Sequence, residues 1–314
     1  MSLQKAPYVT LDVFTTQRFK GNPLAVVKVE GEPLSYEQML TVAREFNYSE
    51  TVFLRQDQDG QLSMNIFTPA DEIKFAGHPV IGTGHVLFHR LLPGINLPDP
   101  LPETISVTCQ AGPVVLEYDA KNDTVRANVP HNVHVHSKGT PKQNILDTQP
   151  KLVDQASQLK DDYPAVSIVK GVTYTLVEMT EQEELFASVA AGKCQETELD
   201  EDWAPSFTGT LYYCRGKISM SPRRRVEHLR VRMIAIDLED PATGSACCSL
   251  AAYLALQVGK PTDAYRFVMS QGSEIGRESS IIVDVNLKSD GKEISKMFLS
   301  GPATVVAEGA IRLP

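Results

Sequence analysis

The sequence predicts an α+β protein built from two similar halves, and three observations carry that prediction. A short phrase occurs once in each half: His78-Pro79-Val80-Ile81-Gly82-Thr83 and Asp240-Pro241-Ala242-Thr243-Gly244-Ser245, both fitting [His/Asp]-Pro-x-x-Gly-[Thr/Ser]. An apolar helical stretch follows each copy, from His85 to Leu92 in the first and from Ala246 to Gln257 in the second. Each half also offers six or more short strand-like runs against only two main helical patterns, which favours α+β layering over a doubly wound parallel sheet. At 314 residues the chain is too long for one ordinary core and suits two domains of roughly 150 residues.

In the first half, alternating or apolar runs predict strands at Tyr8–Phe14, Leu24–Val29, Thr51–Arg55, Leu62–Phe67, Ile105–Cys109, Val114–Tyr118 and Thr124–Val129. Ser35 is an N-cap candidate for a helix to Phe46, with Met39, Leu40, Ala43 and Phe46 at helical spacing. A second helix is expected to begin near Pro79 or Gly82. In the second half, strands are predicted at Ala165–Lys170, Thr173–Val177, Thr210–Cys214, Leu229–Ile236, Arg266–Ser270, Ser280–Leu287 and Glu293–Leu299, with helices at Glu181–Ala191 and Thr243–Leu256. Leu250, Ala251, Ala252, Leu254 and Ala255 leave the last helix little polar face, so it is expected inside its domain's sheet. The turn-rich stretch His134–Gln158, with Gly139, Pro141 and Pro150, marks the boundary between halves. The domains expected are therefore 1–133 and 134–302, with a tail at about 303–314 packing back onto the first.

Composition narrows the partners. The net charge of -9 argues against a nucleic-acid groove, because phosphate binding needs clustered Lys and Arg. The five cysteines are odd in number and lack CxxC spacing, which gives neither a zinc signature nor a disulfide framework and suits a reducing compartment. No apolar leader segment follows Met1, and no window reaches the ~18 apolar residues of a membrane span. A cytoplasmic protein with a small-molecule partner is expected, with no nucleic acid and no membrane.

The two phrases carry chemistry because a helix N-terminus presents unpaired N–H groups and a partial positive charge, and so seats an anion such as a carboxylate. Gly82 and Gly244 would let a ligand approach the backbone. Thr83 and Ser245 would add a hydroxyl at the same spot, just behind a proton-moving residue, His78 or Asp240. The alternative is that Pro and Thr/Ser merely start a buried helix; two copies with different titratable residues favour function. A third element is Asn47-Tyr48-Ser49-Glu50-Thr51-Val52-Phe53, where a carboxylate sits between a helix end and an apolar strand. Burial there would disfavour the ionised form and tune Glu50 as a general acid/base, although a solvated strand-end Glu fits the same residues.

Taken in order, Asp12-Val13-Phe14-Thr15, Gly21-Asn22-Pro23-Leu24-Ala25-Val26-Val27, Asn47-Tyr48-Ser49-Glu50-Thr51, Gly77-His78-Pro79-Val80-Ile81-Gly82-Thr83 and Glu239-Asp240-Pro241-Ala242-Thr243-Gly244-Ser245-Ala246 resemble the signature blocks of the phenazine-biosynthesis PhzF-like proteins. Gln271-Gly272 with Gly276-Arg277 resembles a further block. The resemblance implies a diaminopimelate-epimerase-like fold: two similar domains, each a curved, mostly antiparallel sheet around a central helix, with the active site in the cleft between. It also implies a cofactor-independent isomerase acting on a cyclic or unsaturated amino-acid-like carboxylate, and a homodimer. Glu50 would carry the proton, with His78 and Asp240 orienting the substrate and balancing charge. Ser49, Gly77, Thr83, Gly244, Ser245 and Asn22 would bind it. Epimerases of this fold use two cysteines; neither loop here has one, and Cys247 and Cys248 read as core residues. The alternatives are a racemase or epimerase on the same fold and a small-molecule binder without chemistry.

Other features are set aside. His134 and His136 share a strand face with His131 nearby, but no Cys completes a ligand set. His85 and His89 lie one helical turn apart without an HExxH, so no metal is expected. Arg223-Arg224-Arg225, with Arg230 and Arg232, reads as a solvated loop entering a strand, although Arg230 or Arg232 could attract a substrate carboxylate. No GxGxxG or P-loop Lys occurs, so no nucleotide or other cofactor is expected.

Overall fold

The computed structural model describes residues 5–221, 224–260 and 264–314; Arg223 of the basic cluster lies outside the described residues. The chain divides into two units, Met1–Val129 with Leu299–Pro314, and Pro130–Phe298.

In unit 1, β1 (Lys5–Val13) pairs antiparallel with β2 (Asn22–Lys28). A helix, α1 (Tyr36–Phe46), then carries the chain to β3 (Glu50–Gln56), which lies parallel to β2. The predicted start of α1 holds: Gln38 N–H donates to Ser35 Oγ while Ser35 N–H donates to the Gln38 side chain, a reciprocal pair that satisfies two otherwise open donors. Asn47 ends α1 in the left-handed conformation, at φ 51°. Next come β4 (Leu62–Phe67), antiparallel to β3, and the short β5 (Glu72–Ile73). The helix α2 (Gly77–Phe88) follows, and then a meander of β6 (Thr104–Cys109), β7 (Gly112–Asp119) and β8 (Thr124–Asn128).

Every residue of α2 is buried, and the helix packs against β1, β2, β3, β7 and β8. Two glycines make that depth possible. A Cβ on Gly82 would collide with the Leu24 side chain and come within 2.9 Å of Val13 Cγ2; one on Gly84 would lie 2.5 Å from Val125 Cγ1. Gly82 is thus a helix-to-sheet packing position and not the ligand approach expected for it. The helix also starts earlier than expected, at Gly77, and stops at Phe88 instead of running to Leu92. Pro79 is tolerated inside because the first N–H groups of a helix have no intrahelical acceptor.

Unit 2 opens with the short strands β9 (His134–Val135) and β10 (Thr140–Pro141) and the helix α3 (Lys142–Thr148). A 3₁₀ stretch at Pro150–Gln158 leads to β11 (Asp162–Tyr163), β12 (Ala165–Val169) and β13 (Val172–Glu178). The helix α4 (Glu183–Ser188) precedes a long hairpin of β14 (Phe207–Ser221) and β15 (Arg224–Ala235). After β16 (Leu238–Asp240) comes α5 (Gly244–Val258), then β17 (Ala264–Gln271), β18 (Ser279–Leu287) and β19 (Ile294–Gly301), whose last three residues belong to unit 1. Pairing is mostly antiparallel, with β13–β14 and β15–β17 parallel. As in unit 1, the long central helix is the apolar one. Leu250, Ala251, Ala252 and Ala255 are fully buried, and burying one leucine is worth about 1.5–3 kcal/mol.

Two segments are more ordered than their sequence suggested. The turn-rich stretch 134–158 also contributes core: Ile145, Leu146 and Leu152 join Val177, Leu185, Phe186 and Tyr212 in a buried cluster. Its turn residues punctuate short elements whose apolar sides still face inward. The second is 303–314, the segment expected to pack back onto the first domain, where Ala303–Arg312 forms β20, antiparallel to β1 from Lys5↔Arg312 to Val13↔Ala303.

Candidate active site

In unit 1 the reactive groups meet where α1 hands over to β3 and where α2 begins. Glu50 is the first residue of β3, held in register opposite Leu24. His78 is the second residue of α2, 5% exposed. Glu50 Oε2 lies 3.4 Å from His78 Nε2, with the glutamate side chain 17% exposed. Oε2 is buried and receives no hydrogen bond among the described residues. Burial therefore pushes the Glu50 carboxyl up to about 7, with Ser49 beside it pulling the other way. Ser49 Oγ also donates to Asn22 Oδ1 at 3.3 Å, and Asn22 is the buried first residue of β2. Four predicted residues, Asn22, Ser49, Glu50 and His78, thus gather at one corner of unit 1, with Gly77 opening the helix beside them. Gly21 makes the turn into β2 possible: at φ 64° it is in the left-handed region, and a Cβ there would strike Val13 O.

In unit 2 the loop 240–243 is fixed by hydrogen bonds. Asp240 ends β16, and its Oδ2 accepts from Thr243 Oγ1 at 2.6 Å. Gln271, at the end of β17, braces the loop from both ends of its amide. Its Nε2 donates to Asp240 O at 2.8 Å, and its Oε1 accepts from Thr243 N–H at 3.0 Å. Ser279 Oγ donates to Pro241 O at 2.8 Å, and Gly272 lies so close that a Cβ would sit 2.8 Å from the same oxygen. Gly244 and Ser245 open α5, and Ser245 Oγ shares a 2.7 Å hydrogen bond with Tyr174 OH. The first-turn N–H groups of α5 are available to an anion there. Of these supporting residues, Gln271 was visible only as part of a signature block. Tyr174 gave no signal, since an inward-facing tyrosine on a strand reads as core.

The structure corrects several expectations. Thr83 and Ser245 do not occupy equivalent positions. Ser245 is the second residue of its helix, whereas Thr83 is the seventh of α2, fully buried, with its hydroxyl unpartnered among the described residues. The paired phrases therefore share letters but start their helices at different points. Neither arginine considered for substrate is free for it. Arg232 donates from Nε and Nη2 to the two oxygens of Glu239 at 2.9 and 2.7 Å, and from Nη1 to Phe186 O. Arg230 is engaged by Glu183 and Glu274. Cys247 and Cys248 are fully buried inside α5; burial pushes the Cys248 thiol up to about 12 and Cys247 well above its ordinary value. Thiolate chemistry at neutral pH is thus disfavoured at both.

Comparison with known proteins places the family and the fold. The family profile described as Phenazine biosynthesis-like protein (PhzC-PhzF) matches residues 11–309. A trans-2,3-dihydro-3-hydroxyanthranilate isomerase of Pseudomonas chlororaphis is 27% identical, covering 98% of this chain and 99% of its own. Among solved structures, a PhzF-family phenazine biosynthesis protein of Bacillus anthracis superposes with a TM-score of 0.73 at 20% identity, over 98% of this chain and 99% of that one. A hydroxyproline epimerase of Agrobacterium vitis gives a TM-score of 0.57 at 13% identity, over 98% and 92%. The fold is therefore that of the PhzF and proline-racemase-like proteins, the diaminopimelate-epimerase-like class expected from the sequence. With its profile match running nearly end to end, the chain belongs to the phenazine biosynthesis-like PhzC-PhzF family and is an isomerase of that family.

Proposed function

We propose that this isomerase moves a proton by general acid/base catalysis, without a cofactor, on a small cyclic or unsaturated amino-acid-like carboxylate. The nearest chemistry is the isomerisation of trans-2,3-dihydro-3-hydroxyanthranilate, named for a relative. The observation that carries the reading is the buried Glu50–His78 pair, 3.4 Å apart, with the glutamate held near neutrality. A carboxyl that titrates at about 7 can accept a proton from carbon and return it at comparable cost, which a carboxylate near 4.5 cannot.

In this mechanism ionised Glu50 removes a proton from a substrate carbon, the double-bond system shifts, and the same carboxyl delivers a proton to another carbon. His78 faces the carboxyl and stabilises its charged form. Asp240, fixed by Thr243 and Gln271, orients the substrate's polar substituents, and Gly244 and Ser245 at the start of α5 receive its carboxylate. Asn22, Ser49 and Gly77 complete the binding set. The five free cysteines fit a cytoplasmic setting, and the assembly proposed is a homodimer, which a light-scattering mass of a single chain would reject.

The test is proton NMR in deuterated buffer with trans-2,3-dihydro-3-hydroxyanthranilate and a small panel of cyclic amino acids. Wild type is expected to exchange or isomerise one compound, and Glu50→Gln to lose at least about a hundred-fold of that rate while still binding. Exchange at the wild-type rate in Glu50→Gln would remove Glu50 from its role. Inversion of a stereocentre with no double-bond shift would instead identify a racemase. Ligand-induced thermal stabilisation without turnover would identify a binder.

A further inference from the structure

The C-terminal end of α2 carries a second group of reactive side chains that the isomerase chemistry does not use. His85 lies in the last turn of α2, and His89 caps that helix one turn on. The turn between β7 and β8 brings Asp123 to the same place. One donor atom from each of the three lies within 4.8 Å of the others. The geometry points to a binding site for a divalent transition-metal cation at His85, His89 and Asp123.

Each ligand is prepared by its neighbours. His85 is 1% exposed, and its Nε2 pairs with Gly301 O at 3.1 Å. A carbonyl can only accept, so the ring's proton is on Nε2 and Nδ1 keeps its lone pair. Nδ1 is buried and has no partner among the described residues, an open lone pair that costs free energy to leave unfilled. His89 Nε2 pairs with Asp123 Oδ1 at 3.0 Å, and Tyr118 OH donates to the same oxygen at 2.8 Å. The tyrosine thus fixes the carboxylate as an outer partner does around a metal. The two imidazoles lie stacked, 9° from parallel with centroids 5.7 Å apart, so their in-plane lone pairs converge only when the exposed His89 ring turns out of the stack.

Around a tetrahedral zinc with bonds of about 2.0–2.1 Å, donor atoms sit roughly 3.3 Å apart. His89 and Asp123, at 37% and 55% exposure, have room to close that distance by side-chain rotation. Two nitrogens and one oxygen suit zinc or its neighbours over calcium or magnesium, with water completing the set. The sequence could not supply Asp123, because nothing in the chain's order places a β-turn residue beside a helix end.

A contrasting cluster shows what a saturated one looks like. His134, His136 and Asp200 also lie within 4.8 Å of one another. There His136 Nδ1 accepts from Asp200 N–H, its Nε2 pairs with Ser167 Oγ, and Ser137 donates to both Asp200 oxygens. His134 Nε2 pairs with Asp200 Oδ2 at 2.7 Å, and its ring stacks on Trp203 at 4.4 Å. That group is a hydrogen-bonded strap holding the 192–207 segment, and it serves as the internal control.

The experiment is calorimetric titration of zinc chloride into the full chain after chelator treatment and dialysis. One equivalent is expected to bind. Weakening of about ten-fold or more is expected in His89→Ala and Asp123→Asn, a smaller loss in Tyr118→Phe, and no change in His134→Ala. The exposed ligands are chosen because replacing buried His85 could unfold unit 1. Cobalt(II) added to wild type is expected to give a visible absorption band that His89→Ala removes. Absence of zinc binding by wild type overturns the proposal, as does one-equivalent binding of unchanged affinity in both His89→Ala and Asp123→Asn.

Discussion

The proposed chemistry rests on one ionisation, that of Glu50. Its carboxyl is raised from 4.5 to about 7 in the folded chain, so the folded state holds the proton more tightly than the unfolded state. The associated stability is fully present below pH 4.5 and is lost as pH rises through about 7. Relative to Glu50→Gln, which has no such proton, wild type is expected to lose about 3 kcal/mol across that window, measurable by urea melts at pH 5 and pH 8. Turnover should move the other way, with an acid limb near pH 7 because proton abstraction needs the ionised form. A flat stability difference would mean that the carboxyl is solvated. The place of Glu50 between a helix end and a β-branched strand was legible because that setting is local; its burial was not, because a solvated strand-end Glu fits the same residues. The bracing of Asp240 by Gln271, 31 residues on, was not, because it depends on β17 returning beside β16.

At the scale of elements, α2 and α5 are the members on which both units depend, and their apolar composition announced their burial. Where each begins was less visible. The repeated phrase fixes positions along the chain, but Pro at the third residue of α2 and a braced loop ahead of α5 put the same letters at different depths. Gly82 illustrates the consequence. Alanine is the better helix former by about 1 kcal/mol, yet its methyl would enter space held by Leu24 and Val13. Gly82→Ala is therefore expected to destabilise by about 1–3 kcal/mol, read as a lower melting temperature. An unchanged or raised melting temperature would show that the sheet yields there. The strand predictions fared well because period-two burial is a direct record of sheet faces, as in β17 with its strict alternation of buried and half-buried residues.

At the scale of the molecule, the last strand was the hardest part to read. Ala303–Arg312 has exposed and half-buried residues throughout, so no alternation marks it. It is a strand because β1 offers it an edge, with Thr10 Oγ1 donating to Ala307 O and Arg18 Nε to Val305 O. Removing residues 303–314 is expected to lower the stability of unit 1 and leave β1 open to self-association, seen as aggregation in size-exclusion chromatography. A truncated chain that stayed monodisperse with an unchanged melting temperature would show that β20 is only an accessory.

The pairing of β1 with β20 also sets an order of assembly during synthesis. Every residue of unit 2 leaves the ribosome before the strand that completes unit 1 does. Unit 1, although its first strands are made first, can therefore pair its last strand only after unit 2 has been synthesised. The first 129 residues wait with an unfilled sheet edge while the segment between them and their last strand reaches its own fold. The pace of translation through residues 130–298 then determines how long that edge stays open.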